Sequence, residues 1–170
     1  VSDGPVQTWI ETPEGYEQFQ VWWVAHGGEP EVRDVEFRGL DEATTTDAVL
    51  DALGSPVIIG PSNPVTSMGP TLAVDGVRDA LRETRVVAVS PFVGGEVVSG
   101  PAAELMEAVG LPASSRGVYE AYSDLLDVLV VDGEKPATGD VGCHVVAEDT
   151  RIDGREDAAR LAERLVELAT

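Results

Sequence analysis

Residues 56–60, PVIIG, and residues 85–90, RVVAVS, decide the fold of this chain of 170 residues. Each is a short, uninterrupted apolar run rich in β-branched side chains, which is typical of a strand buried on both faces of a parallel sheet. A third run of this kind, DVLVVD, occupies 127–132, and a last strand is predicted at 143–147. These runs predict the centre of a parallel sheet.

Helical periodicity separates the predicted strands. Helices are predicted over 40–53, 70–83, 101–109 and 115–125, and a final helix follows a capping pair formed by Asp153 and Glu156. Alternation of strands with helices favours the α/β class. We therefore predict a mainly parallel, Rossmann-like sheet with flanking helices.

The first 39 residues have a different pattern. Alternating and aromatic stretches flank Thr12-Pro13-Glu14-Gly15, a favourable turn, and predict an antiparallel β-hairpin over about 6–11 and 16–24. A third strand is predicted at 32–38. Neighbouring residues of a strand face opposite sides, so one of Trp22 and Trp23 is expected in the core.

Two units are predicted from these patterns. Residues 1–39 form a β-rich insertion, and residues 40–170 form the C-terminal part of an α/β nucleotide-binding-type domain. Such a domain usually opens with a strand and a Gly-rich turn, whereas the first buried parallel strand here begins only at residue 56. We therefore expect the Gly-rich N-terminal half of the domain to be absent from this chain.

Acidic residues dominate the charge: 31 Asp and Glu face 11 Lys and Arg, a formal net charge of −20. Such a surface repels phosphate backbones and anionic membranes, which argues against nucleic acid and membrane partners. Among the basic residues only Lys135 is lysine. Acid excess with a lysine deficit favours adaptation to concentrated salt over an ordinary acidic protein, because salt screens self-repulsion.

Cysteine and histidine are scarce. Cys143 is the only cysteine, which excludes an intrachain disulfide and indicates a reducing, cytoplasmic interior. With only His26 and His144 besides, no structural zinc site is expected. No apolar run approaches the ~20 residues of a membrane span, and no basic-then-apolar signal peptide opens the chain.

The candidate site lies in two loops, GPSNPVTSMGP at 60–70 and SPFVGGEVVSGP at 90–101. Each follows a buried strand and precedes a helix, which places it at the carboxyl edge of the sheet, where ligands bind. Residues 55–100 hold 4 acidic and 3 basic side chains, so this region escapes the general acidity. Glycines, hydroxyls and backbone N–H groups there indicate a phosphate cradle. Two ordinary Pro/Gly turns are the simpler alternative.

These loops resemble a known family. IIGPSNPVTSMGPTLAV and VAVSPFVGGEVVSGPAAELMEAVG are similar to motifs of 2-phospho-L-lactate transferases, and the resemblance covers essentially the whole chain. It implies transfer of a phospholactyl or phosphoenolpyruvyl group from a guanosine diphosphate adduct to the deazaflavin precursor Fo, with release of GMP and with Mg²⁺ as cofactor. This is a phosphoryl transfer, in which the protein mainly positions groups and neutralises charge.

The resemblance also carries over binding residues. Gly60, Ser62, Asn63 and Ser67 match the nucleotide-phosphate loop, and the second loop adds Gly94, Gly95 and Ser99. The family's GGTG-type loop and its metal-binding DD pair are not in this sequence, so catalytic and metal-binding residues are not assigned and the chain alone is expected to be inactive. Many members have Lys where this chain has Glu96, which is expected to face solvent.

Three further expectations complete the sequence analysis. The unpaired edge of a half-sheet favours a homodimer. A non-catalytic nucleotide- or nucleotide-sugar-binding regulator is the alternative function, and a structural domain with buried turns is a third.

Among single residues, Tyr119 and Tyr122 are expected in the core rather than as a flavin-stacking platform. Asp124 and Asp127 are expected on the surface rather than at a metal.

Overall fold

The computed structural model describes residues 1–133 and 141–170. The strands are β1 (Gln7–Thr12), β2 (Gly15–Gln18), β3 (Asp34–Arg38), β4 (Val57–Ile59), β5 (Val86–Val89), β6 (Phe92–Val93), β7 (Glu96–Val97), β8 (Val128–Asp132) and β9 (His144–Glu148). The helices are α1 (Asp47–Leu53), α2 (Gly69–Ala73), α3 (Val77–Arg82), α4 (Ala102–Ala108), α5 (Ser115–Tyr122) and α6 (Arg155–Ala169). Two π-helical turns occupy Val21–Ala25 and Pro64–Met68.

Four strands form a parallel sheet in the order β4-β5-β8-β9, which confirms the predicted α/β class. All four residues of β5 are buried, as expected for a strand covered on both faces. On one face, Leu161 and Leu165 of α6 pack with Val87 and Val130. On the other face, Leu129 joins the larger core cluster. The carboxyl ends of the four strands therefore share one edge.

The N-terminal strands form an antiparallel sheet in the order β2-β1-β3, which confirms the predicted hairpin region. This sheet ends at Arg38, beside the predicted boundary at residue 39. Ile10 on β1 nevertheless belongs to the same buried cluster as Leu105 and Leu129. The two predicted units thus share one core, and their division into separate units stays a prediction.

The second hairpin strand was expected to reach residue 24, and this was wrong. β2 ends at Gln18, and Val21–Ala25 is a π-helical turn. Trp22 is fully buried in this turn and its indole Nε1 donates to the carbonyl oxygen of Pro30 at 2.8 Å, whereas Trp23 stays 38% exposed. Burial of the indole with a satisfied N–H outweighs the β propensity of these residues.

Two predicted helices are shorter than expected. The helix predicted over 70–83 is broken into α2 and α3, because Val74 after α2 is extended (ψ 132°) and Gly76 before α3 adopts φ +82°, and a helix continues through neither conformation. The helix predicted from residue 40 begins only at Asp47. There Thr46 is the N-cap, and its hydroxyl oxygen accepts from the backbone N–H of Val49 at 3.3 Å.

The expected capping pair of the last helix is also wrong. The N-cap of α6 is Gly154, which has no side chain to offer. Asp157, not Glu156, accepts a hydrogen bond from the backbone N–H of Asp153 at 3.1 Å. In the described part of the chain, no helix has the length and apolar character required to cross a bilayer.

Candidate functional site

A cleft of about 250 Å³ lies at the carboxyl edge of the parallel sheet. Segments that follow four strands line it: Pro61 after β4, Ser90 and Pro91 after β5, Val98 and Ser99 after β7, and Thr150, Arg151, Ile152 and Asp153 after β9. Val93 and Val97 of the β6-β7 hairpin complete the lining. The cleft therefore occupies the edge at which open parallel sheets bind ligands.

Ser90 shapes the floor of the cleft. It is fully buried, and its Oγ accepts from the backbone N–H of Phe92 at 3.2 Å and lies 2.8 Å from Oγ of Ser115, the first residue of α5. Both contacts are short enough for hydrogen bonds. Ser90 therefore fixes the turn after β5 and ties it to α5.

The β6-β7 hairpin forms one wall. Its turn contains Gly94 and Gly95, both with positive φ (61° and 89°), as two-residue hairpin turns require. The backbone N–H of Gly94 donates to Oδ2 of Asp132 at 2.9 Å, so that N–H is already used within the protein. Glu96 is exposed, as expected.

Residues 150–153 form the opposite wall. Thr150 is 5% exposed, and both its backbone N–H and its hydroxyl donate to Oδ1 of Asp132. Among the described residues, Arg151 is the one basic residue in the cleft lining, and its Nε lies 3.2 Å from both carboxylate oxygens of Asp153. The Arg151 side chain is 67% exposed, so an incoming anion can compete with Asp153 for the guanidinium.

The pKa of Asp132 lies below its ordinary value. Burial of the carboxyl raises its pKa. The hydrogen bonds from Gly94 and Thr150 and the charge of Arg151 lower the pKa by more than burial raises it. Asp132 is therefore a carboxylate at neutral pH. Both of its oxygens accept hydrogen bonds from the cleft walls.

The structure separates the predicted binding residues into two places. Ser99 lines the cleft, and Gly94 and Gly95 form the hairpin turn of its wall. Ser67 instead lines a cavity of about 400 Å³ beside the N-terminal sheet, together with Gln7 and Gln18. Pro61 of the first loop also lines the cleft, but the predicted residues of that loop are not in its described lining, and the binding role of each residue stays a prediction.

The first loop is partly engaged in its own turn. Asn63 is the N-cap of the π-helical turn, and its Oδ1 accepts from the N–H groups of Val65 and Thr66 at 2.9 and 3.3 Å. The backbone N–H of Ser62 donates to the carbonyl oxygen of Gly60 at 2.7 Å. Several N–H groups expected to face a phosphate thus have internal acceptors.

Sequence reasoning missed Asp132, Thr150 and Arg151. Asp132 ends the apolar run at 127–132, and the other two follow the last predicted strand. The carboxyl-edge rule that selected the loops after the first two strands would have selected these residues as well.

Two residues considered for other roles are structural. Asp124 is exposed, as expected, and it accepts from both Arg82 and Arg78, which links the segment after α5 to α3. Burial raises the pKa of its carboxyl. The hydrogen bond from Arg82 and the charge of Arg78 outweigh burial, so the pKa lies below its ordinary value. Tyr122 lies in the core, 2% exposed, as predicted.

A Mg²⁺ site is not formed by the residues that the structure describes. Nowhere in 1–133 and 141–170 do three Asp, Glu, His or Cys side chains converge as metal ligands would. Of the two carboxylates nearest the cleft, Asp132 is bonded to both walls and Asp153 faces Arg151. These residues do not fit a Mg²⁺ ion.

The fold and the cleft define a parallel α/β protein with a cleft at the carboxyl edge of its sheet. The sequence model described as "2-phospho-L-lactate transferase CofD" matches residues 1–168. The chain belongs to this family.

Curated relatives named 2-phospho-L-lactate transferase support this membership. The relative from Haloarcula marismortui is 54% identical over 99% of this chain and 50% of its own length. Those from Halobacterium salinarum and Methanosarcina mazei are 51% and 45% identical over 95% and 98% of this chain. The chain spans about half the length of the curated relatives it matches. Two of these organisms are halophiles, in agreement with the predicted salt adaptation, and the regulator alternative is not favoured.

Proposed function

We propose that this chain provides the nucleotide-phosphate part of a 2-phospho-L-lactate transferase. In the proposed reaction, the terminal ribityl hydroxyl of Fo attacks the phosphorus that carries the lactyl or enolpyruvyl group of a guanosine diphosphate adduct. A new P–O bond forms, the bond to GMP breaks, and GMP leaves with the bridging oxygen. The base that accepts the hydroxyl proton is not assigned to a residue of this chain.

The observation that carries the proposal is the cleft at the carboxyl edge, whose described lining has one guanidinium beside hydroxyl donors. Arg151 supplies the positive charge, and the hydroxyl of Ser99 is a donor of the kind that binds phosphate oxygens. Phosphoryl transfer depends mainly on positioning and charge stabilisation, which such donors provide. A nucleotide diphosphate fits this chemistry better than a cation, because Asp153 is the one carboxylate in the described lining and it faces Arg151.

The first loop is proposed to extend the phosphate contacts. The side-chain oxygen of Asn63 accepts from the following turn, so the side-chain NH₂ group is the part that would donate to a phosphate. Gly60, Ser62 and Ser67 lie on the same segment, and Gly94, Gly95 and Ser99 form the second part of the predicted set. In this proposal the ligand depends on the turn conformation that Gly94 adopts. The N–H of Gly94 already donates to Asp132.

Calorimetric titration with GDP tests the proposal. Arg151→Gln is expected to weaken GDP binding about tenfold or more, because hydrogen bonds to charged groups contribute about 1.5–3 kcal/mol. Arg155→Gln is the matched control: it removes the same charge four residues later, on an exposed position outside the cleft lining. No GDP binding by the parent chain, or equal losses in both variants, would contradict the proposal.

The remaining expectations concern the complete enzyme. Fo as acceptor, Mg²⁺ as cofactor, a homodimer and a cytoplasmic location stay predictions. So does the inactivity of these 170 residues alone. Measuring GMP release by this chain, with Fo, Mg²⁺ and the guanylated donor, against release by a full-length relative would test that inactivity.

A further inference from the structure

A single carboxylate is bonded to both walls of the cleft without being part of its lining. Asp132, the last residue of β8, accepts from the backbone N–H of Gly94 through Oδ2 at 2.9 Å. Through Oδ1 it accepts from the backbone N–H of Thr150 at 3.1 Å and from the Thr150 hydroxyl at 3.3 Å. Gly94 lies in the hairpin turn of one wall, and Thr150 begins the other wall.

The hairpin wall is anchored in the core at Phe92, whereas its turn and residues 151–153 of the opposite wall are exposed. The β6-β7 hairpin has two residues in each strand, and its turn residues Gly94 and Gly95 are exposed. The segment 150–153 has no regular secondary structure. Hydrogen bonds to an ionised carboxylate are roughly twice as strong as neutral ones, so Asp132 ties these two segments together strongly.

The bonds of Asp132 also determine how it can act. Both oxygens are directed to the walls and the side chain does not line the cleft, so a ligand does not touch this carboxylate. The width of one carboxyl group sets the separation between Gly94 and Thr150. A small displacement of either wall would misplace every donor that it carries.

We propose that Asp132 is a positioning residue that holds the two walls of the cleft at the separation a nucleotide diphosphate requires. This inference rests on the proposed function of the cleft. It assigns Asp132 a role that acts through Gly94 and Thr150 rather than through contact with the substrate.

The chain offers a matched control on the same strand. Asp127 precedes β8 at its amino end, and its Oδ2 accepts from the backbone N–H of Val86 at 2.8 Å. Asp127→Ala therefore removes one charge and one carboxylate bond to a backbone N–H, whereas Asp132→Ala removes one charge, two such bonds and the bond from the Thr150 hydroxyl. Both variants are expected to lower the melting temperature, and only the change at Asp132 is expected to alter ligand binding.

The experiment measures the affinity for GDP by calorimetry in molar KCl, well below the melting temperature of each variant. Asp132→Ala is expected to weaken GDP binding about tenfold or more, and Asp127→Ala to leave it within about twofold of the parent chain. Asp132→Asn has one acceptor oxygen instead of two, so it can hold only one wall. Its affinity is expected between those of the parent and of Asp132→Ala.

Amide hydrogen exchange measured by NMR provides a readout that does not depend on GDP. In Asp132→Ala, exchange is expected to accelerate at both Gly94 and Thr150, and in Asp132→Asn at one of them. Unchanged exchange at both amides would overturn the positioning role, as would equal losses of GDP affinity in Asp132→Ala and Asp127→Ala. If the parent chain does not bind GDP, the proposed function of this cleft fails, and Asp132 then has no nucleotide site to position.

Discussion

Trp22→Phe is expected to lower the free energy of unfolding by about 3 kcal/mol. The side chain is fully buried, and its ring lies 6.1 Å from that of Phe19. Replacing the indole by a smaller ring leaves a cavity, which costs about 1–2 kcal/mol. The lost hydrogen bond to the Pro30 carbonyl oxygen adds about 1 kcal/mol, more where that oxygen stays buried without a partner.

The neighbouring tryptophan is the control. Trp23 is 38% exposed, so Trp23→Phe is expected to cost less than about 0.5 kcal/mol. Urea denaturation followed by far-UV circular dichroism in molar KCl measures both, since tryptophan fluorescence would change with the substitution itself. Equal losses for the two variants, or a loss below about 1 kcal/mol for Trp22→Phe, would refute the assignment of Trp22 as the core residue of this turn.

Three further predictions concern stability. Tyr122→Phe is expected to raise the free energy of unfolding by about 1 kcal/mol, measured by the same denaturation, because the buried Tyr122 hydroxyl has no hydrogen-bond partner among the residues that the structure describes. The melting temperature of the chain is expected to rise from low salt to molar KCl, because a net charge of −20 repels itself and salt screens that repulsion; a flat profile would exclude salt adaptation. Asp124→Asn is expected to lower the melting temperature at pH 7. The pKa of Asp124 is depressed in the folded protein, so its stabilisation is present above the unfolded value of about 3.9, and the difference from the parent should narrow as the pH falls through the folded pKa.

Much of the architecture could be predicted from local patterns. The runs at 56–60, 85–90 and 127–132 predicted buried parallel strands, because an uninterrupted β-branched run is stable only where both faces are covered. The edge of the sheet that carries the cleft followed from the same runs. Helix ends were less predictable: Gly76 and Gly154 changed the expected helices through backbone conformation, which sequence periodicity does not report.

The candidate site was only partly predictable. The glycine-rich loop at 90–101 indicated the hairpin wall, and Ser99 lies in the cleft as a result. Ser67 was grouped with it by composition, but it lies in a different cavity. Thr150 and Arg151 were missed because their segment has no motif of its own and becomes part of the site only by following β9.

The sequence by itself determined the fold class, the family and the acidity of the surface, since all three depend on composition and on patterns within short segments. Only the tertiary structure decided which tryptophan is buried, which loops share a cleft, and what Asp132 does. Gly94, Asp132 and Thr150 are separated by 38 and 18 residues in the chain. Their hydrogen bonds form because parallel strands bring the ends of distant segments to one edge of the sheet. No pattern within a short segment of sequence predicts that these residues meet.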